Sequence, residues 1–254
     1  MSIDPAYTQV GRPMTAGLDA IFFDIDDTLF STSVFAEKAR RNAVDAMLQV
    51  GLRATREQCL KELAEVIREF SSNYDRHFDK MLLRLPDSAL DGINPAIVIS
   101  AGMVAYHDTK FRDFKVYDDV YEVLGALGAT DLIRGIISSG ITIKQTEKIL
   151  RLHIYEFLSP NAIFVTDQIG INKPNTKLYQ RVLEALDLEA SRTMYVGDHP
   201  TNDIDPCNEA GIVTVWNRRS GRHSRTPGKT KPTFEIRDFY ELREILRNHF
   251  GVMI

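Results

Sequence analysis

Residues 20–28 read Ala20-Ile21-Phe22-Phe23-Asp24-Ile25-Asp26-Asp27-Thr28, an apolar run followed directly by acidic side chains. The apolar part is short, aromatic and partly β-branched, which favours a buried strand. In an extended chain Asp24 and Asp26, two residues apart, project to the same side. Carboxylates that share one side repel each other, and a divalent cation is their usual partner because hard cations prefer oxygen ligands. The stretch predicts a carboxylate site at a strand end, with a capped turn before a helix as the alternative.

Similar apolar runs recur along the chain and define the expected sheet. They lie at 135–137, 162–165, 194–196 and 212–216, with a last short strand predicted at 233–236. Most of them are followed by polar or glycine-containing residues and then by a helical pattern. Strands that alternate with helices indicate a parallel sheet covered on both faces. The fold class predicted is therefore α/β, a Rossmann-like parallel sheet core.

A helical region interrupts this alternation after the first strand. Apolar residues recur there at helical spacing, and four amphipathic helices in succession indicate a small bundle inserted into the sheet domain. The predicted division is a core formed by 18–31 and 113–254, an inserted helical domain at 32–112, and a flexible leader at 1–17.

Three further polar signals follow later strands of the predicted sheet. They are Ser138-Ser139-Gly140, Lys173-Pro174, and the segment from Gly197 through Asp198 to Asp203. Small hydroxyl residues at a strand-to-helix turn can hold phosphate oxygens, a lysine can neutralise phosphate charge, and an aspartate after a glycine can ligate a metal. Pro174 would begin the next helix at its first turn. Each signal also has an ordinary interpretation as a helix cap or polar loop. Ligands of open α/β sheets bind at the carboxyl ends of strands, so the shared placement favours one site.

Bulk composition restricts the remaining classes. The 254-residue chain carries a formal net charge of -4, so no global basic field predicts a nucleic-acid partner. No apolar run approaches the length of a membrane span. The basic stretch 217–231 lacks interleaved aromatic residues and is interpreted as a solvated loop beside the site. Two distant cysteines predict free thiols and a cytoplasmic location. Oligomeric state is open, a homodimer being one option.

The order and spacing of the four polar signals resemble the haloacid dehalogenase (HAD) superfamily. The resemblance covers roughly 19–216, and the helical insert looks like the α-helical cap of HAD subfamily I. Two longer stretches, 22–30 and 195–216, are similar to HAD phosphatases, some of which are labelled glyceraldehyde-3-phosphate phosphatase. The resemblance implies a Mg²⁺-dependent phosphatase that hydrolyses a small phosphorylated metabolite through an aspartyl-phosphate intermediate, under a cap that selects the substrate.

The resemblance also implies a role for each acidic residue. Asp24 matches the catalytic nucleophile and Asp26 the general acid/base. The carboxylates of Asp24 and Asp198, with the backbone carbonyl of Asp26, would hold Mg²⁺. Asp203 would be a further metal ligand through water, or would orient Lys173.

The phosphoryl group of the substrate would be bound by Ser138, Ser139, Gly140 and the catalytic Lys173. Ser139 departs from the pattern, since many relatives carry Asn or Asp there, which puts a substrate contact of that side chain in doubt. Asp26 argues against dehalogenation, because a halide leaving group needs no acid. A HAD phosphomutase, or a non-catalytic protein that binds a phosphorylated ligand on this scaffold, stays open as an alternative.

Overall fold

A computed structural model describes residues 17–219 and 223–254. These residues form two compact units: the described chain up to Ser31 together with Lys115–Ile254, and Thr32–Phe114. All but the last residue of the predicted flexible leader, 1–17, lies outside the described residues. The predicted boundary between residues 112 and 113 falls in the last turn of a helix that ends at Asp113.

The first unit is built on a parallel sheet. Its strands are β1 (Ala20–Phe23), β2 (Ile133–Ser138), β3 (Ile163–Val165), β4 (Thr193–Gly197), β5 (Val213–Asn217) and β6 (Phe234–Ile236). They lie in the order β3-β2-β1-β4-β5-β6, and every pairing is parallel. The chain moves outward from β1 on one side and then returns to β4 on the other. In open α/β sheets, ligands bind at the carboxyl ends of the strands where the direction changes in this way, here β1 and β4.

The strand register brings the predicted site residues to one edge. Phe23, the last residue of β1, lies opposite Ile136 of β2 and Val196 of β4. The backbone N–H of Asp24 continues the ladder by donating to the carbonyl of Val196 at 2.9 Å. Since parallel strands end on the same side, Asp24, Ser138 and Asp198 all lie at this carboxyl edge.

The second unit is helical. Its helices are α1 (Thr32–Gln49), α2 (Arg56–Phe70), α3 (His77–Leu82) and α4 (Pro95–Asp113), with a 3₁₀ turn at Asp87–Leu90. Val44, Met47, Leu63 and Val98 are among the buried residues of its core. Helices α1 and α4 approach closely at Gly102, where an added Cβ would lie 2.9 Å from the Met47 sulfur. The apolar periodicity of the sequence predicts these helices because each buries one face.

The helices of the sheet unit follow the strands. They are α5 (Asp118–Gly128), α6 (Thr142–Arg151), α7 (Thr166–Ile169), α8 (Thr176–Ala185), α9 (Asp205–Glu209) and α10 (Phe239–Phe250), with 3₁₀ turns at Tyr155–Phe157 and Ala190–Arg192. The sequence predicts that Pro174 begins a helix, which is wrong. Asn175 caps α8 by accepting the N–H of Lys177, so Pro174 lies in the preceding loop.

The apolar faces of strands and helices form the core of the sheet unit. Phe22, Leu178 and Tyr195 are completely buried in one cluster of it. At Gly135 of β2, an added Cβ would lie 2.3 Å from the Phe22 ring, so the close packing of β1 and β2 requires glycine. Among the described helices, none has the length and apolar character needed to cross a membrane.

Candidate active site

Asp24 is the first residue past β1, and it is buried. Its carboxylate is 9% exposed and accepts a hydrogen bond from the Lys173 ammonium, Nζ to Oδ1, at 2.7 Å. Burial disfavours the charged form and raises the pKa of Asp24 to about 6, although Lys173 opposes the shift. At neutral pH the side chain is therefore mostly ionised.

Lys173 connects the residues around Asp24. Its side chain is only 4% exposed, and Nζ lies 2.7 Å from Asp24 Oδ1, Asp203 Oδ1 and the Tyr195 hydroxyl. The three protons of the ammonium thus have three acceptors. Burial alone would lower the pKa of Lys173, but Asp203 and Asp24 raise it above its ordinary value.

Tyr195 is a site residue that sequence reasoning missed. Its hydroxyl accepts from Lys173 and donates to the carbonyl of Ile137 at 2.9 Å. The residue lies inside an apolar strand, where a hydroxyl must find a partner once it is buried. A tyrosine hydroxyl inside an apolar strand is therefore the sequence signal that could have identified Tyr195 as a site residue.

Three carboxylates converge beside Lys173. Asp24, Asp198 and Asp203 are buried and offer oxygens that lie within 4.8 Å of one another. Burial, with the charges of Asp203 and Asp24, raises the pKa of Asp198 to about 9. One lysine offsets only part of this negative charge, so the group has the composition of a site for a hard divalent cation.

Local backbone structure directs Asp203 into this group. A π-helical turn at Pro200–Ile204 carries it, and its Oδ2 accepts the N–H of His199 at 3.0 Å. At Gly197 an added Cβ would lie 2.6 Å from Asp203 Oδ2. Glycine at this position therefore makes room for the carboxylate.

Asp26 is placed differently from Asp24. Its carboxylate accepts two hydrogen bonds from Lys148 Nζ, both at 2.6 Å, and one from Gln145 Nε2 at 3.3 Å. It does not belong to the three-carboxylate group among the described residues. Gln145 and Lys148 lie three residues apart on one face of α6 and were missed by sequence reasoning. Polar residues on the inward face of an amphipathic helix were the available signal.

The turn after β2 contains an unsatisfied hydroxyl. Ser138 is 1% exposed, and its Oγ has no hydrogen-bond partner among the described residues. The next hydroxyl, of Ser139, donates to Asn172 Oδ1 at 3.0 Å. The N–H of Gly140 donates to Thr166 Oγ1 at 3.2 Å and so already has an acceptor. A buried hydroxyl without a partner is costly, and a bound anion would satisfy it.

The basic stretch 217–231 is tied to the sheet unit at several points. Arg219 forms a mostly buried ion pair with Asp119, and the N–H groups of Lys229 and Thr230 donate to the Asp205 carboxylate. The ring of His223 stacks on that of His199 at 3.8 Å between centroids. Arg222 lies outside the described residues. The stretch therefore contacts the loop after Asp198 through His223, the start of α9 through Lys229 and Thr230, and the start of α5 through Arg219.

Comparison with known proteins agrees with this geometry. Residues 21–217 match the family described as haloacid dehalogenase-like hydrolase. The chain belongs to this family. A glyceraldehyde 3-phosphate phosphatase from Methanopyrus kandleri is 38% identical over 235 residues, 91% of this chain and 97% of that protein. Its namesake from Methanocaldococcus jannaschii is 33% identical over 231 residues, 91% of this chain and 98% of that protein.

Solved structures of HAD proteins share the fold. The crystal structure of a HAD phosphatase from Thermococcus onnurineus matches with a TM-score of 0.63 at 23% identity, covering 90% of this chain and 98% of the other. The predictions of the superfamily and of a parallel α/β core with inserted helices are confirmed. The predicted HAD-type phosphoric monoester hydrolase, acting on a small phosphate ester, is confirmed by the family and by the names of the curated relatives.

Proposed function

We propose that this HAD phosphatase hydrolyses a triose phosphate or a similarly small ester through an aspartyl phosphate on Asp24. The observation that carries the proposal is the position of Asp24, buried at the switch point of the sheet and bonded to Lys173 at 2.7 Å. A nucleophilic carboxylate must be ionised, and a pKa of about 6 keeps Asp24 mostly so at neutral pH.

The residues around Asp24 fit Mg²⁺. Three buried carboxylates share a small volume, and oxygen is the donor that Mg²⁺ prefers. Asp24 and Asp198, with the backbone carbonyl of Asp26, would hold the cation, and Asp203 would act through water or through Lys173. When bound, Mg²⁺ supplies positive charge that stabilises the transferring phosphoryl group.

The chemistry divides into two steps that this chain's residues can perform. In the first, an Asp24 oxygen attacks phosphorus, the ester P–O bond breaks, and Asp26 gives a proton to the departing oxygen. In the second, Asp26 takes a proton from water as that water attacks phosphorus, which releases phosphate and restores Asp24. The Ser138 hydroxyl would bind a phosphoryl oxygen, a role that its unpartnered Oγ supports, and the positive charge of Lys173 would offset the charge of the phosphoryl group.

The names of the curated relatives support a triose phosphate as substrate. The test is phosphate release from glyceraldehyde 3-phosphate, phosphoserine and a pyrimidine nucleotide, with Mg²⁺ and with EDTA. We expect the highest kcat/KM for the triose phosphate. Without Mg²⁺ we expect no phosphate release from any of the three substrates. Full activity of Asp24→Asn, or conversion of a sugar phosphate into its isomer without phosphate release, would contradict the proposal.

Location and assembly stay proposals. Cys59 and Cys207 are buried free thiols, which supports a reducing compartment such as the cytoplasm. A homodimer is tested by sedimentation equilibrium, where a single species at the mass of one chain would exclude it.

A further inference from the structure

Among the described contacts, one ion pair connects helix α6 to the acid/base candidate. Lys148 Nζ lies 2.6 Å from both carboxylate oxygens of Asp26, and the side chains are 17% and 32% exposed. A second ion pair of this helix joins Arg151 to Glu147 and lies within one turn. Lys148 instead spans 122 residues of sequence to hold one carboxylate.

Gln145 ties the same carboxylate to the turn beside Ser138. Its Nε2 lies 2.6 Å from the carbonyl of Ser139 and 3.3 Å from Asp26 Oδ2. One amide nitrogen therefore touches both Asp26 and the turn proposed to bind the phosphoryl group. An added Cβ at Gly140 would lie 2.6 Å from that nitrogen, so Gly140 makes room for the link.

Proton transfer requires the carboxylate of Asp26 to stay within hydrogen-bond reach of the ester oxygen. A partly exposed aspartate without fixed donors would sample several rotamers. We infer that Lys148 is a positioning residue that holds Asp26 in the orientation used for protonating the leaving group. The inference rests on the proposed acid/base role of Asp26.

The test compares kcat/KM for substrates with two different leaving groups. This ratio reports on the steps up to the first irreversible one, which here is transfer of the phosphoryl group to Asp24. Alkyl phosphates need a proton on the departing oxygen, whereas p-nitrophenyl phosphate hardly needs one. We expect Lys148→Met to lower kcat/KM for glycerol 3-phosphate about tenfold or more, part of the usual general-acid effect, and for p-nitrophenyl phosphate at most about threefold. Lys148→Arg should recover most of the loss, because a guanidinium can also hold both oxygens.

Lys177→Met, an exposed lysine at the start of α8, is the control and should leave both values unchanged. Asp26→Asn distinguishes a failure of the positioning role of Lys148 from a failure of the acid role of Asp26. If Asp26→Asn shows the leaving-group dependence and Lys148→Met lowers both substrates equally or neither, the positioning role of Lys148 is wrong while the proposed function stands. If Asp26→Asn itself shows no such dependence, the acid role of Asp26 fails and the inference fails with it.

Discussion

Replacing Lys173 with Met tests the electrostatic centre of the site. The substitution keeps the length of the side chain and removes a charge that is bonded to Asp24, Asp203 and Tyr195 at 2.7 Å each. The lysine is 4% exposed, and its two carboxylate partners are 9% and 2% exposed. Water cannot replace the lost ammonium readily at this depth, so the carboxylates are left buried without their counter-charge.

Loss of one partner from a buried ion pair costs about 3–5 kcal/mol, because the remaining charge is uncompensated. We therefore expect Lys173→Met to lower the free energy of unfolding by about that amount at neutral pH. The measurement is urea unfolding followed by circular dichroism, in EDTA so that no cation takes the place of the lysine. Lys177→Met, an exposed lysine at the start of α8, is the control and should change little. A loss below about 1 kcal/mol, typical of exposed pairs, would refute the reasoning.

The remaining predictions concern the carboxylates of the site. The pKa of Asp198 is raised from 3.8 to about 9, so the folded state binds more protons between these values, and its stability should fall as pH rises. In EDTA, unfolding free energies measured from about pH 6 to pH 8.5 should fall by up to about 1.4 kcal/mol per pH unit, and Asp198→Asn should flatten the slope. A slope unchanged in that variant would contradict the assignment. Gly197→Ala should displace Asp203, lower the free energy of unfolding in urea by about 1–3 kcal/mol and lower kcat/KM. Gly17→Ala, with open space around the added methyl group, should change neither the stability nor kcat/KM. Wild-type stability in Gly197→Ala would mean that Asp203 tolerates the methyl group.

The parallel sheet could be predicted because its signal is local. The run Ala20–Phe23 is apolar on both faces and ends at a carboxylate, as expected of a central parallel strand. The carboxyl ends of such strands meet at one edge, so the clustering of Asp24 with Asp198 follows from topology. Strands β1 and β4 are neighbours in the sheet, which brings the residues after them together. This order agrees with the predicted α/β core.

The polar connections of the site could not be predicted in the same way. Lys173 reaches Asp24 across 149 residues, and the short helix α7 lies between it and β3. The apolar strand around Tyr195 indicates a buried hydroxyl that needs a partner, but it does not identify that partner as the Lys173 ammonium. Lys148 reaches Asp26 across 122 residues, and its place on the inward face of α6 indicates a polar partner without identifying it as Asp26. Such contacts depend on how whole elements pack, and one local stretch does not encode them.

In the proposed reaction Asp24 carries the phosphoryl group. The direct test quenches the enzyme with acid during turnover of glyceraldehyde 3-phosphate, reduces it with borohydride and maps the peptides by mass spectrometry. Borohydride converts an aspartyl phosphate to homoserine, so the account predicts homoserine at position 24, dependent on substrate and Mg²⁺. Asp26→Ala should slow both the transfer of the phosphoryl group to Asp24 and the attack of water on it, so turnover falls while any homoserine formed stays at position 24. Turnover with no reducible residue at position 24, or with homoserine at another aspartate, would contradict the account.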